Sequence, residues 1–599
     1  MKRKHYKRII RRSKYIFDMK QKRELHNMAN SNPKQFWNEI KRLKGNCHMN
    51  HSISNDDFFK HFKDLFSNDN AFKNESVEDE LTNSNSSTSV ENLDRPIDLT
   101  EVKTAILSLK GGKSSGFDNL IPEIFTDGIE VLSPLLCELF NHIFNFGIYP
   151  ESWTKGIIVP VPKKGNPNDV NNFRGIALTS VFSKLFSSII NKRLTNWAEE
   201  NEILSDSQYG FRKDRSTVDC IFILNSLIDR VVNYEKNRLY CCFIDFKKAF
   251  DMVYRNGIFV KLVRYGCSCK IIKIVQSIYS TVCTCVRSNG IYSDFFESFS
   301  GVKQGETLSP LLFLLFINDM YSFLNTDELS SSPDVFKIDS INLFMLLFAD
   351  DTVLFSRSQD KLQYFVDKLY EYCNIWGIEV NVAKSAVMVF RKSHVDTNCV
   401  VKFNNQALKV TDEFTYLGVT FKSNGSFYTA QKRLAESAMK ALYSLNTLFE
   451  TASMSIKEKL KLFDAMILPI LCYGSEVWGF HKAPDIERIQ LKFLKQVLSV
   501  KQTTNNAAVY GELGRFPIII IRKVRILKYW FKIMNTPNSM LCKLFNMKDN
   551  NGNYILQWAQ NIKALTNNLG LSYIFTQGIL CTQQFDYIVQ RIYDQHIQC

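Results

Sequence analysis

In Leu343-Phe344-Met345-Leu346-Leu347-Phe348-Ala349-Asp350-Asp351-Thr352-Val353-Leu354-Phe355, two apolar runs flank a pair of adjacent carboxylates, and neither run contains Gly or Pro. Each run has the length and the aromatic and β-branched content of a buried strand. The stretch therefore predicts a hairpin with Asp350-Asp351 at its tip. Two negative charges side by side at a buried turn repel each other, and desolvating them is costly unless a cation or hydrogen-bond donors compensate. Two readings follow: a divalent-metal site, or an Asx-type turn with both carboxylates in solvent. The stretch alone does not separate them.

Composition narrows what such a hairpin can belong to. The 599 residues are 45% hydrophobic and 13% aromatic, enough for several domains with large cores and unlike a disordered chain. The net charge is +15, and residues 1–44 hold twelve of it, with fifteen Lys and Arg against Asp18, Glu24 and Glu39. Such a concentration points to a polyanionic partner, nucleic acid first and an anionic membrane second. The fifteen cysteines lack the spacing of a disulfide scaffold, and Cys241, Cys242 and Cys472 lie inside apolar runs. They read as buried thiols of a reducing compartment. Cys47, His48 and His51 do not have zinc-finger spacing. No apolar run approaches the ~18 residues of a membrane span, and the N-terminus lacks the apolar centre of a secretory signal. Its Lys/Arg clusters suit nuclear import and a solvated basic helix equally well.

Residues 1–65 read as a basic helical segment with Phe36, Trp37 and Ile40 as its apolar stripe. Residues 66–97, rich in Asn, Ser, Glu and Asp, read as a flexible linker. Thr100 is placed to cap a helix whose apolar face is Val102, Ile106 and Leu109. The run Lys110-Gly111-Gly112-Lys113-Ser114-Ser115-Gly116 looks like a phosphate loop, but Leu107 stands where that pattern needs Gly. A turn touching nucleic acid is expected there instead of an NTPase site. Next, a strand over 157–162 delivers Lys163 and a loop delivers Arg174, a fork and a point charge suited to a triphosphate. Exposed basic residues beside strands are also commonplace. In Gln208-Tyr209-Gly210-Phe211-Arg212-Lys213-Asp214-Arg215-Ser216-Thr217, two arginines precede an apolar helix, and Ser216 and Asp219 have capping-box spacing. That arrangement suits a phosphate backbone, or a well-capped helix with a solvated basic loop. Residues 239–251 read as a buried strand ending on Asp245. If that strand neighbours the hairpin, three carboxylates can hold two Mg²⁺ ions ~3.5–4 Å apart. In Gly301-Val302-Lys303-Gln304-Gly305-Glu306-Thr307-Leu308-Ser309-Pro310, Ser309 is expected as N-cap and Pro310 as first residue of a helix to Ile317. Gly305 lets the backbone approach a planar ligand. Residues 325–334 read as a Ser/Asp-rich loop.

Taken in order, these segments resemble a reverse transcriptase, nearest to the kind carried by non-LTR (LINE-like) retrotransposons. Residues 239–251, 301–317 and 348–351 resemble that family's first three palm motifs. Residues 376–385 resemble the fourth, and Phe414-Thr415-Tyr416-Leu417-Gly418-Val419 the fifth, its primer grip. The segments around Arg174 and Arg212 match its fingers, and 99–125 its N-terminal extension. The resemblance implies an α+β right-hand polymerase of fingers, palm and thumb, with an antiparallel palm sheet flanked by helical N- and C-terminal regions. Fingers and palm would occupy 98–421 (core 144–421) and a thumb-like helical region 422–500, leaving 501–599 as helices of unknown role.

The same resemblance assigns roles to residues. Asp245, Asp350 and Asp351 become the catalytic carboxylates, binding two Mg²⁺ ions (or Mn²⁺) with the Phe246 carbonyl. Lys163, Arg174, Phe250, Gln304, Gly305 and Lys384 become the nucleotide site, with Phe250 excluding a 2′-hydroxyl and Lys384 near the leaving pyrophosphate. Phe250 as plain core and Lys384 as a surface lysine stay open. Gly210, Arg212, Arg215, Tyr416, Leu417 and Gly418 would contact nucleic acid. The implied partners are template RNA, a DNA primer or target DNA, and dNTPs, with no membrane, inside the cell and in the nucleus. The reaction would be target-primed copying of RNA. The alternatives are an inactive nucleic-acid-binding remnant and a group II intron-type polymerase.

Some features depart from the family. Gly175 stands where many relatives have Pro, which is expected to loosen that loop. No endonuclease is recognisable, so nicking is expected from elsewhere. Pro484, Asp485, Glu487 and Lys492 superficially suggest a nuclease but read as an amphipathic helix, and the C-terminal Cys-His knuckle of such elements is missing. Ser426 is expected to cap a thumb helix with Leu434, Ala438, Ala441, Leu442, Leu445 and Leu448 as its stripe. Arg522, Arg525, Lys528 and Lys532, near Tyr529 and Trp530, predict either a nucleic-acid-binding face or a solvated one.

Overall fold

A computed structural model describes residues 2–45, 52–67, 72–83, 88–163, 165–326, 332–339, 341–392, 399–452, 454–577 and 580–598. Eight strands matter to the site. In chain order they are β1 (Gly156–Pro162), β2 (Phe173–Leu178), β3 (Leu239–Ile244), β4 (Cys283–Ser288), β5 (Met345–Phe348), β6 (Asp351–Ser356), β7 (Ala386–Phe390) and β8 (Lys409–Val410).

The central sheet has the order β8-β7-β3-β6-β5. It is antiparallel, except that short β8 runs parallel to β7. Side chains of a strand alternate between faces. Cys241 and Phe243 of β3 therefore enter one core with the helix Thr217–Ile228, and Cys242 and Ile244 enter a second core with the helices Ser309–Ile317 and Gln359–Trp376. Because both faces are covered, β3 is apolar throughout instead of alternating. The smaller sheet, β2-β1-β4 with short strands beside β4, carries Arg174 on β2 and leads from β1 into Lys163. The helix Asn55–Phe66 lies on it, sealing Phe58 and Phe62 against Phe173, Ile158 and Val286.

The segment 66–97 is more ordered than a linker. Glu75–Asn83 and Glu91–Asp94 are helices burying Val77 and Leu93, and Glu80 pairs with Arg264 at 2.6 Å. A few anchors inside a polar composition suffice to dock it. Residues 68–71 and 84–87 of that segment lie outside the described residues, as do Cys47, His48, His51 and 327–331. Asp98, not Thr100, caps the helix Leu99–Leu107, because its carboxylate and Glu101 close a capping box. The helix at Ser309 includes Ser309 itself and follows uncapped Leu308; the Ser309 hydroxyl instead meets the buried Tyr279 hydroxyl at 3.4 Å. The Gly112 amide donates to Glu123, so the glycine run at 110–116 closes on its own chain.

Downstream, the helix Tyr428–Thr451 buries Ala438, Leu442, Leu445 and Leu448. It follows Phe427 without a side-chain cap, although the Ser426 hydroxyl accepts from the Tyr428 amide at 3.3 Å. The helix Ile518–Met534 offers neither the open basic face nor the solvated one expected. Arg522 is buried, donating to the His481 carbonyl at 2.9 Å, and Lys532 and Tyr529 both bind the Asp219 carboxylate. Only Lys528 of the four cations is exposed. Residues 501–599 share one apolar core with the helix Thr217–Ile228 through Phe222, Tyr529 and Trp558. Among the described residues all thirteen cysteines are free thiols, and no helix is long and apolar enough to cross a membrane.

Candidate active site

Thr352 pairs with Ile244 in the β3–β6 ladder, so one step further Asp351 stands across from Asp245. The β5–β6 hairpin turns through Ala349, at φ +55°, and Asp350, and Asp351 is already strand, paired with Phe348. The tip is therefore Ala349-Asp350 rather than Asp350-Asp351. All three carboxylates gather at one end of two neighbouring strands. Loss of water in the cleft raises the Asp350 pKa, and the Asp245 charge adds to it. Asp351 still meets solvent, yet partial desolvation and the charges of Asp350 and Asp245 push it up to about 6. No side-chain hydrogen bond relieves either group among the described residues.

The convergence expected of a metal site is incomplete. Among the described residues no three His, Cys, Asp or Glu side chains stand as a metal-holding group. In kind, though, the donors fit: hard carboxylate oxygens are what Mg²⁺ takes as ligands.

The surrounding chain fixes these strand ends. The Ser385 hydroxyl accepts from the Asp245 amide at 3.1 Å, and the Asn381 amide donates to the Asp245 carbonyl at 2.7 Å. Lys247 N–H donates to Glu379, so this bridge uses the groups on either side of Phe246 and leaves the Phe246 carbonyl out of the pairing. On the hairpin side, Gln208, which carried no expected role, supports the turn. Its Oε1 accepts from the Ala349 amide at 3.1 Å and the Gly210 amide at 2.7 Å, holding the turn from behind. Gly210 is buried against that turn, where a Cβ would lie 2.2 Å from the Ala349 nitrogen. It packs on protein, not on nucleic acid.

Asp245 and Asp350 open onto a cleft of about 890 Å³, lined also by Lys163, Arg174, Phe250, Gln304, Gly305 and Lys384. Alternation along β2 buries Phe173 and Gly175 and leaves Arg174 exposed between them. Gly175 does not loosen anything. It is paired with Pro160 in the sheet, and a Cβ there would come within 2.7 Å of the Phe62 ring. Desolvation and the Arg174 charge hold Lys163 below the ordinary lysine range. Phe250 stacks on Phe313 at 4.5 Å and meets exposed Phe211 edge-on at 6.0 Å, so it is core on one side and cleft wall on the other. Gly305 sits at φ +102° beside β2, a backbone that other residues rarely adopt.

Other expected contacts are absent from this surface. Arg212 forks onto Glu199 at 2.9 and 2.6 Å and onto the Ser205 carbonyl, with its side chain 7% exposed. Arg215 pairs with Asp206 at 2.7 Å. Tyr416 is buried against Phe243. Leu417 and Gly418 form a turn of two positive φ values, 45° and 81°, whose Leu417 carbonyl accepts from the Tyr473 hydroxyl at 2.8 Å. Of these five, Gly418 alone is exposed.

Residues 161–421 match the reverse transcriptase (RNA-dependent DNA polymerase) family. The chain is 27% identical over 416 residues to the probable RNA-directed DNA polymerase from transposon BS of Drosophila melanogaster, covering 66% of this chain and 44% of that one. It is 25% identical over 471 residues to the RNA-directed DNA polymerase from mobile element jockey of Drosophila funebris, covering 75% and 49%. A solved structure of apo telomerase from Candida tropicalis aligns over 82% of this chain and 77% of its own, with 14% identity and a TM-score of 0.34. The chain spans about half the length of the curated relatives it matches.

Proposed function

We propose, from the premise that residues 161–421 are a reverse transcriptase domain of the kind non-LTR retrotransposons carry, that this chain extends a DNA primer on an RNA template. One observation carries the reading. Asp245 and Asp350, without a side-chain hydrogen-bond partner among the described residues, share a single cleft with Lys163 and Arg174, and Asp351 stands across from Asp245 at the strand end, an arrangement that costs stability and suits a polyphosphate with its counter-ions.

Asp245, Asp350 and Asp351, with the Phe246 carbonyl, would hold two Mg²⁺ or Mn²⁺ ions. When bound, such ions lower the charge on the attacking 3′-oxygen and on the pyrophosphate. The chain's own part is positioning. Lys163 and Arg174 receive the triphosphate oxygens, and the exposed Lys384 stands where it can give a proton to the departing pyrophosphate. The cleft face of Phe250 lies under the sugar and leaves no room for a 2′-hydroxyl. Gly305 brings its backbone against the nucleotide. Fingers and palm then occupy 98–421 and a thumb 422–500. Template RNA, primer or target DNA and dNTPs are the partners, the nick comes from a separate endonuclease activity, and the setting is the nucleus.

Primer extension on primed RNA with Mg²⁺ or Mn²⁺ tests this. Wild type should incorporate dNTPs. Asp350→Asn should lower incorporation at least ~1000-fold, about 4 kcal/mol of barrier, with primer–template binding kept. Incorporation unaltered by Asp350→Asn overturns the assignment. A wild-type chain that binds primed RNA and adds nothing is the inactive binding protein instead.

A further inference from the structure

One carboxylate lining the cleft has no part in that chemistry. Asp251 ends the tight turn after β3, where its amide donates to the Lys248 carbonyl at 2.8 Å. Its Oδ1 accepts from the Gln304 side-chain Nε2 at 2.6 Å. The two loops are fused at the backbone as well. Val302 N–H donates to the Phe250 carbonyl at 2.9 Å, and Gly301 at φ +76° has no space for a Cβ, which would lie 2.5 Å from the Asp251 carbonyl oxygen. From its other end Gln304 reaches β2, its carbonyl accepting from the Ala177 amide at 2.8 Å. Gln304 thus spans three walls of the cleft: the Phe250 turn, the Gly305 loop and the strand that carries Arg174.

The chemistry of this contact has a direction. An ionised carboxylate only accepts hydrogen bonds, whereas an amide has one donating and one accepting end. Asp251 therefore takes the NH₂ of Gln304, and Oε1 is left without a described partner. Burial pushes the Asp251 carboxyl up to about 6, and the Gln304 hydrogen bond and the charges of Lys248, Lys163 and Arg174 hold it there, so that it is ionised at neutral pH.

We propose that Asp251 is a positioning residue that fixes the Gln304 amide with its acceptor oxygen toward the incoming nucleotide. This rests on the cleft being a nucleotide site. Asp251 touches no substrate. It acts through Gln304, so that a hydroxyl or amino donor of the nucleotide is met by an acceptor and never by the amide NH₂.

Full-length Asp251→Ala, Asp251→Asn, Gln304→Ala and the Asp251→Ala/Gln304→Ala pair are compared by dNTP KM and kcat on primed RNA. Titration of a fluorescent methylanthraniloyl-dATP into the primed complex reads nucleotide binding without turnover. Asp251→Ala should raise KM and the analogue Kd about tenfold, the scale of one charged hydrogen bond, with kcat within about threefold. Asp251→Asn can still turn a carbonyl to Gln304 and should stay within about threefold of wild type. In the Gln304→Ala background, Asp251→Ala should add nothing. Independent, multiplying effects overturn the proposal, as does an unaltered KM in Asp251→Ala. If Asp251→Ala does not fold by its melting curve, Asp251→Asn with a tenfold weaker analogue Kd overturns it. A wild type that binds the analogue without incorporating it fails the polymerase reading alone, and one that binds none fails both.

Discussion

Arg174 and Arg212 lie in segments that look alike in sequence, basic residues beside Gly and Phe, and they end in opposite circumstances. Arg174 projects from β2 into the cleft, and its near neighbour in charge is another cation, Lys163. Arg212 turns back into the protein, where Glu199 and backbone carbonyls consume its guanidinium. Arg215, Arg522 and Lys532 follow Arg212, each closed by an acid or a carbonyl from another segment. A cation left unpaired beside unpaired carboxylates marks a surface built for a ligand. A cation matched by a remote acid marks a joint.

The most direct way to break that comparison is to truncate both arginines. Arg212→Ala strands Glu199 and opens a forked pair, so unfolding by urea should show a loss of about 3 kcal/mol. The dNTP KM of the remaining folded enzyme should not move. Arg174→Ala should do the reverse: stability within about 0.5 kcal/mol, as for an exposed side chain, and dNTP kcat/KM lower by roughly 30-fold, near 2 kcal/mol of charge-assisted contact. A catalytic defect in Arg212→Ala with an unchanged urea midpoint would erase the distinction.

The same contrast explains what could be read from the chain beforehand. The runs that became β3, β5 and β6 were legible because a strand buried on both faces must be continuously apolar, and carboxylates ending such runs demand a reason. The fates of the arginines were not legible, because Glu199 and Asp206 become partners only after the loop at 208–217 folds back. Gln208 illustrates the limit well. It lies in the same basic segment as Arg212, yet its role depends on the Ala349 amide, 141 residues away in sequence. Gly175 is expected from the sequence to loosen a loop and Gly210 to contact nucleic acid, and both are places where another element presses against the backbone. In 66–97, polar composition concealed Val77 and Leu93, the two side chains that anchor it.

Phe250 sharpens the comparison, since it belongs to both categories. One face is stacked on Phe313 and the other lines the cleft. Phe250→Val keeps an apolar side chain on Phe313 while removing the ring from the cleft. The expected result is a rise of about tenfold in rNTP relative to dNTP incorporation, near 1.4 kcal/mol, measured by competing single-nucleotide additions. An unchanged ratio would make Phe250 core alone.

Lys261 gives the smallest effect and tests whether pairing cancels burial. Its ammonium donates to Asp319 at 2.6 Å and to the Tyr372 hydroxyl at 2.7 Å, 3.7 Å from the Trp376 ring centre. Even so, desolvation outweighs Asp319 and lowers its pKa from 10.5 to about 7. Below pH 7 folded and unfolded chains both carry this proton, and the group gives no slope. Between about 7 and 10.5 the unfolded chain holds a proton that the folded chain has released, so this group makes stability rise with pH across that window. Lys261→Met keeps the length of the stem over Trp376, and the Tyr372 hydroxyl still donates to Asp319 at 2.6 Å. Unfolding measured at pH 7.5 and 8.5 should therefore show wild type gaining about 1 kcal/mol more than Lys261→Met over the interval. Equal gains in both proteins would mean that Asp319 holds the ammonium charged throughout, and that a well-matched partner offsets full burial in this fold.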